Sequence, residues 1–465
     1  MILEQLYLGC LSQASYLIAD EASGRAVVVD PRRDIVAYLD MAAQKGLRIE
    51  LIVLTHVHAD FIPGHTELAE ATGAAIAMGD VSPVSFPIRR LADGERLALG
   101  DPSTGVTIEV LSTPGHTPES ITLAVYQHGG DEAPVALLTG DTLFLGDVGR
   151  PDLLGSAGRT AQDMARDLYR SLHTRILTFP DSVLIYPGHG AGSACGKALS
   201  SETVATLGDQ RGRNYALAPM SEEEFVAAIT DGLAEPPAYF QDDVALNRQG
   251  HASFDPHRTI AAVAGADAVR LAVGGALVLD GRDAEAFAAG HLRGAVNVGL
   301  SGRFAEYAAA VHAPGQQVIL FGSLAQATEA LVRLARVGIE SVVGAVTDPQ
   351  VLVDAPGLVA TSTRVDARAA AGNIQTVDGL QVVDVRAPGE FAGGTLPGAV
   401  NLPLPRLRTM LSSLDPRHPV LVTCAGGYRS IAAASMLEAM GFSDVRDLLG
   451  GWEAWQNEYG AMAAG

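Results

Sequence analysis

The stretch Thr55-His-Val-His-Ala-Asp-Phe61 sets two imidazoles and a carboxylate directly after the apolar run Leu51-Ile-Val-Leu54, and this constrains the chain more than any other feature. A strand that ends in closely spaced ligands predicts a metal site on a strand-end loop, where functional side chains are typically displayed. In the common form of the motif, H-x-H-x-D-H, the leading histidines serve one metal and the Asp and final His a second. Here the final position is Phe61, whose ring offers no lone pair. A site for one metal is therefore expected rather than a two-metal hydrolytic site.

Three further candidates follow on Gly- or Pro-framed turns. They are His116 in Ser112-Thr-Pro-Gly-His-Thr-Pro118, Asp141 in Leu137-Leu-Thr-Gly-Asp-Thr142, and His189 in Ile185-Tyr-Pro-Gly-His-Gly190. His128, His173, His251 and His257 lack such settings and read as hydrogen-bonded turn residues.

With these residues in place, the first 255 residues or so resemble the metallo-β-lactamase superfamily, and within it the persulfide dioxygenase branch. The resemblance implies an αββα sandwich and one Fe(II) per chain on His56, His116 and Asp141. His58, Asp60 and His189 are then outer or vestigial second-metal positions. Two neutral imidazoles and a carboxylate leave open positions on Fe(II), where a substrate sulfur and O2 can meet. Zinc is the alternative metal.

The chain has 465 residues, which suggests about three domains of ~150 residues each. No apolar run reaches membrane-spanning length, and Met1-Ile-Leu-Glu-Gln-Leu6 lacks a basic leader, so a cytoplasmic location without membrane partners is expected. A formal charge of -21 argues against nucleic acid as a partner. A homo-oligomer is left open.

Of three cysteines, Cys10 reads as a small buried hydrophobe, while Cys195 and Cys424 invite chemistry. Cys195 lies six residues after His189 in the glycine-rich run Gly190-Ala-Gly-Ser-Ala-Cys-Gly-Lys197. It is either a pocket thiol that exchanges sulfur with a persulfide or an incidental small residue in a tight turn.

An internal repeat organises the second half. Leu277-Val-Leu-Asp-Gly-Arg282 and Gly294-Ala-Val-Asn297 reappear as Val382-Val-Asp-Val-Arg386 and Gly398-Ala-Val-Asn401. Two doubly wound α/β units are implied. The second carries Cys424-Ala425-Gly426-Gly427-Tyr428-Arg429-Ser430 between an apolar strand and a helical run. Inward backbone N–H groups and the positive helix end favour a thiolate or persulfide at Cys424. The units resemble rhodanese domains, and the six-residue span from Cys424 to Arg429 is the length that this resemblance associates with sulfur transfer. Cys424 is then the nucleophile, and Arg429 helps bind an anionic donor. In the first copy, gapless alignment puts Phe321 at the cysteine position and Gln326 at the arginine position, so that copy is expected to be silent.

The expected organisation is 1–255 metallo-β-lactamase-like, 260–355 inactive rhodanese-like and 365–465 active rhodanese. As implied by the resemblance, the activity is oxidation of a small thiol persulfide by O2 to thiol and sulfite, with thiosulfate formed or consumed at Cys424. The rivals are a glyoxalase II-like zinc thioester hydrolase fused to a sulfurtransferase, and a sulfur-relay protein with a structural metal.

Overall fold

The computed structural model describes residues 1–153, 158–197, 199–233 and 235–460. Its contacts fall into two compact units, Met1–Phe254 and Asp255–Gly465.

In the first unit, six strands form one sheet in chain order: β1 (Ile2–Leu8), β2 (Gln13–Asp20), β3 (Arg25–Val29), β4 (Arg48–Val53), β5 (Ala75–Gly79) and β6 (Arg89–Leu91). The first three pair antiparallel, and β3 to β6 run parallel. A second sheet has the order β12-β11-β10-β9-β8-β7, built from β7 (Arg96–Ala98), β8 (Thr107–Ser112), β9 (Ile121–Tyr126), β10 (Ala136–Gly140), β11 (Leu184–Pro187) and β12 (Ala205–Thr206).

Strand periodicity explains the layers. Alternate residues such as Tyr16, Ile18, Val27, Val29 and Val53 meet Ile108, Val110, Leu123, Val125 and Leu138 between the sheets. The intervening residues Leu17, Val28 and Ile52 bury against Tyr38, Ala42 and Leu68 of the helices Val36–Lys45 and His65–Thr72. Leu137 and Ile185 of the second sheet pack on Ala165, Leu168, Phe225 and Ile229 from the helices Ala161–Ser171 and Glu222–Thr230. The result is an αββα sandwich. The Ser221 hydroxyl caps the second of these helices by accepting from Glu224 N at 3.2 Å, as Ser-x-x-Glu predicts.

The second unit holds the two repeats. β13 (Leu277–Asp280), β15 (Ala295–Asn297), β16 (Val318–Phe321) and β17 (Val342–Val346) form a parallel sheet in the order β15-β13-β16-β17, while β14 (His291–Leu292) pairs with β18 (Val359–Ala360). The second copy is a parallel sheet in the order β19-β23-β22-β20-β21, from β19 (Thr363–Val365), β20 (Gln381–Asp384), β21 (Val400–Asn401), β22 (Val420–Thr423) and β23 (Val445–Leu448). Its central strand β22 is buried end to end, as expected where helical crossovers cover both faces.

The repeated Asp-x-Arg and Asn signatures are scaffold. Arg282 bonds Asp280 and the Gly290 carbonyl, and Asn297 Nδ2 donates to the carbonyls of Asp280 and Arg282. Arg386, Asp384, Gly394 and Asn401 repeat every one of these bonds. Cys10 departs from expectation: the turn after β1 leaves it half-buried rather than in the core.

Candidate metal centre and sulfur-transfer loop

His56 follows β4, His116 follows β8, Asp141 follows β10 and His189 follows β11, so loops from both sheets converge at one edge of the sandwich. The edges are stitched there: Ala14 N donates to the Gly188 carbonyl at 2.8 Å and Gly190 N to the Ser12 carbonyl at 2.9 Å.

His56, His116 and Asp141 are buried, and their ligand atoms lie within 4.8 Å of one another. The Nε2 atoms of His56 and His116 stand 3.9 and 3.6 Å from Asp141 Oδ2. Each imidazole is held from behind, because Nδ1 of His116 donates to the Arg150 carbonyl at 2.9 Å and Nδ1 of His56 meets Thr55 Oγ1 at 2.9 Å. Such bonds fix the tautomer and aim Nε2 inward. Burial lowers both imidazoles below their ordinary value, His58 adds to the effect at His56, and both are neutral ligands at neutral pH. Burial alone would raise the Asp141 carboxyl, but His189, His56 and His116 outweigh it and hold it well below the carboxylate range. This donor set fits one divalent ion with open positions.

His58 and Asp60 stand outside this trio. His58 Nε2 lies 3.0 Å from Asp30 Oδ1 and its ring packs 4.4 Å from that of Phe61. Asp60 Oδ2 lies 2.8 Å from His189 Nε2, and His189 Nδ1 donates to Asp141 Oδ1 at 2.9 Å. Burial disfavours charge on His189, yet the two carboxylates win and raise it well above its ordinary value.

Cys195 is buried beside Leu54, Met78, Phe144 and Phe240, and its ligand atom joins those of Asp60 and His189 in a second buried group within 4.8 Å. Burial, then Asp60 and Asp141, push its thiol well up, so it is protonated at neutral pH. Lys197 turns away and donates to the Ala228 carbonyl at 3.0 Å.

Several supports escape a motif search. Asp30, at φ +47 after β3, accepts from Thr55 N and Thr55 Oγ1 at 2.8 Å each. Asn247 Nδ2 donates to the carbonyls of His58 and Phe61 at 2.9 Å, locking the motif loop to the helix Tyr239–Gln249. Asp30 carries the same sequence signal as Asp141, an acid closing an apolar run; Asn247 carries none.

In the second unit Cys424 follows β22 and is buried. Gly427 N, at φ +92, donates to Cys424 Sγ at 3.1 Å, and Sγ–H reaches Ser430 Oγ at 3.5 Å. The Arg429 guanidinium forms a two-pronged pair with Glu390 at 2.7 Å. Tyr428 OH donates to the Gly299 carbonyl of the first copy, and its ring lies 5.5 Å from that of Tyr307. Ala425 and Gly426 complete the loop, and the Ala425 carbonyl accepts from Glu453 N at 3.0 Å.

In the first copy, strand pairing corrects the alignment. Asp280 pairs in register with Phe321, and its counterpart Asp384 pairs with Thr423. Gly322, not Phe321, therefore occupies the cysteine position. The loop before the following helix is also shorter, with Ser323 as N-cap where the second copy has Gly427. Gln326 serves that cap, its Oε1 accepting from Ser323 N at 2.9 Å.

Comparison with known proteins agrees with this geometry. Residues 8–189 match the metallo-beta-lactamase superfamily, and residues 266–347 and 363–458 match the rhodanese-like domain. The mitochondrial persulfide dioxygenase ETHE1 of Bos taurus is 30% identical over 235 residues, spanning 49% of this chain and 80% of the relative. The chain belongs to the metallo-beta-lactamase superfamily. The Homo sapiens persulfide dioxygenase is 29% identical over 228 residues, covering 49% of this chain and 79% of its own. A crystal structure described as a metallo-beta-lactamase from Staphylococcus aureus superposes with a TM-score of 0.65 at 30% identity, over 74% of this chain and 98% of that one. This superfamily member is thus a fusion of a metallo-beta-lactamase domain, with persulfide dioxygenase relatives, to rhodanese-like domains. Among the described residues no helix is long and apolar enough to cross a membrane.

Proposed function

We propose that the chain is a cytoplasmic persulfide dioxygenase coupled to a sulfurtransferase, arranged as 1–255, 260–355 and 365–465. The observation that carries this reading is the buried His56–His116–Asp141 trio, with Phe61 where a further ligand would stand. When bound there, Fe(II) supplies adjacent open positions for a sulfur anion and O2. The protein's own residues orient the ligands through Thr55, Arg150 and His189, and Phe61 keeps one side of the site dry.

The net reaction is RSSH + O2 + H2O giving RSH, sulfite and two protons. A second persulfide transfers its outer sulfur to Cys424, releasing RSH and leaving Cys424–S–SH. Sulfite then attacks the outer sulfur, the S–S bond breaks, and thiosulfate leaves as Cys424 regains its thiol. The Gly427 N–H steadies the negative sulfur. Cys195, a buried thiol beside Asp60 and His189, fits sulfur exchange at the first site; Cys195→Ser should then slow oxygen uptake without changing metal content.

Metal analysis with oxygen uptake on thiol persulfides tests the whole reading. About one Fe per chain is expected, lost with persulfide-dependent oxygen uptake in His56→Ala, His116→Ala and Asp141→Ala. The second buried group of Asp60, His189 and Cys195 favours one rival, a zinc thioester hydrolase with a second cation. Two tightly held zinc ions and thioester cleavage would establish that rival instead.

A further inference from the structure

The Cys424 thiol has a buried neighbour that the sulfur-transfer scheme does not use. Asp447 sits in the middle of β23, paired with Arg364 of β19 on one side and Val422 of β22 on the other. Its carboxylate is buried, and Arg364 Nε donates to Oδ2 at 2.8 Å. Oδ1 has no aligned donor, which is costly for a buried carboxylate oxygen. The hydroxyl beside it is that of Ser430, fully buried on the first turn of the helix Tyr428–Ala439 and already accepting from Cys424 Sγ–H at 3.5 Å. A rotation of the Ser430 hydroxyl onto Asp447 completes a line from sulfur through oxygen to carboxylate.

We propose that Asp447, acting through Ser430, is the proton acceptor for Cys424 during sulfur uptake. The inference rests on Cys424 being the nucleophile of the proposed function. As Sγ attacks the donor sulfur, the thiol proton passes to Ser430 Oγ while Ser430's own proton passes to Asp447. The donor S–S bond breaks, and its electron pair leaves on the carrier sulfur or on sulfite. The carboxylate becomes a neutral acid, Ser430 is restored, and no oxidant or reductant is consumed.

Other groups around this line are accounted for. Burial raises the Asp447 carboxyl to about 6, against the lowering influence of Ser430 and Arg364, so it is ionised at neutral pH and returns its proton readily. Glu438 of the same helix bears on Asp447, and Arg429 and Tyr307 bear on Cys424. Arg429 is occupied by Glu390, and Glu453 faces the Gly426 side of the loop. Among these, only Ser430 touches the sulfur. Asp447 is a positioning residue, since it never meets the donor.

A reagent that needs only a nucleophilic sulfur tests the relay apart from the sulfurtransferase reading. Methyl methanethiosulfonate is neutral, and its S–S bond breaks with methanesulfinate as the leaving group. Two curves against pH are to be compared on the full chain: the rate at which Cys424 is thiolated, followed by mass spectrometry, and the ultraviolet absorbance of its thiolate, taken as the difference from Cys424→Ser. With the relay, the rate rises through the titration of Asp447, at lower pH than the thiolate absorbance, by at least about one pH unit or tenfold in proton activity. In Asp447→Asn the carboxylate is gone, so the rate curve moves up, the absorbance curve moves down, and the two coincide. In Ser430→Ala the charge of Asp447 remains but the path is cut, so the rate curve moves up to meet the absorbance. A structural role would shift both curves together or neither. Curves that coincide in the unmodified chain, or a separation that survives in either variant, overturn the relay. If instead Cys424 accepts sulfur from no thiosulfate or persulfide donor, the proposed function fails while the outcome of this comparison stands.

Discussion

Gly188 lies against Asp141 so closely that a Cβ placed at position 188 would overlap Asp141 Oδ1 and press on the Gly140 carbonyl carbon at 3.1 Å. The glycine gives the carboxylate its place between His189 and the two metal-facing imidazoles. Gly188→Ala should therefore displace Asp141 and weaken metal binding by about 10- to 100-fold, the usual scale for losing an orienting partner. Metal titration of the variant, with circular dichroism to confirm folding, measures this; unchanged affinity would remove Gly188 from the site.

The buried histidines make the metal-free protein sensitive to acid. His56 and His116 are held below their ordinary value by burial, and His65, tilted against Phe86 and edge-on to His251, is held at about 3. In the unfolded chain all three take up protons near their ordinary value of about 6.5, while the folded chain does not. The unfolded state thus binds more protons, and stability falls as pH drops from about 6.5 towards the depressed folded values. His189 has the opposite sign: its raised value favours the fold below about 6.5, and this is lost as pH rises through its folded value. Glu438 and Asp447, raised to about 7 and about 6, carry the same sign as His189, so the histidine contribution is read by difference. Denaturant melts of metal-free protein between about pH 7 and 5 should show His65→Gln losing about one proton from the slope that favours higher pH.

Coupling between the two chemistries predicts a change of product. Cys424→Ser leaves the metal residues intact, so oxygen uptake should continue while sulfite replaces thiosulfate as the main product. Chromatography of the sulfur anions, corrected for the uncatalysed reaction of sulfite with free persulfide, reads the outcome. Gly322→Cys in the same chain should not restore thiosulfate. Its short turn enters the helix at Ser323, without the left-handed Gly427 that turns an N–H onto the sulfur.

The metal trio was legible because each ligand follows an apolar strand, and His116 and Asp141 each come directly after a Gly, a local pattern that survives without knowledge of packing. The same holds for Cys424, where a strand, a glycine pair and a helix occupy consecutive positions. What the chain alone hid depends on long-range contacts. Asn247 reaches the motif loop from a helix nearly 190 residues away. Glu390, from the helix Pro388–Ala392, pairs with Arg429, a contact no motif announces. The one-residue error at Phe321 has a similar cause: gapless alignment of the copies runs through a loop whose length differs between them, whereas strand pairing from Asp280 does not.

The first copy supplies more than spacing. Ile431, one turn into the helix Tyr428–Ala439, is buried in the core of the first copy with Val278, Phe287 and Ile319, and Ser435 Oγ accepts from Asn297 N at 3.0 Å. A chain cut near residue 361 would return Ile431 to water at a cost of about 2 kcal/mol and leave the Tyr428 hydroxyl without the Gly299 carbonyl. The pair is accordingly unequal in what it tolerates: a cysteine loop is present in one member and absent from the other, while the face that seats Ile431 is free to vary only if its neighbour varies with it, so the two cannot be shuffled as independent modules.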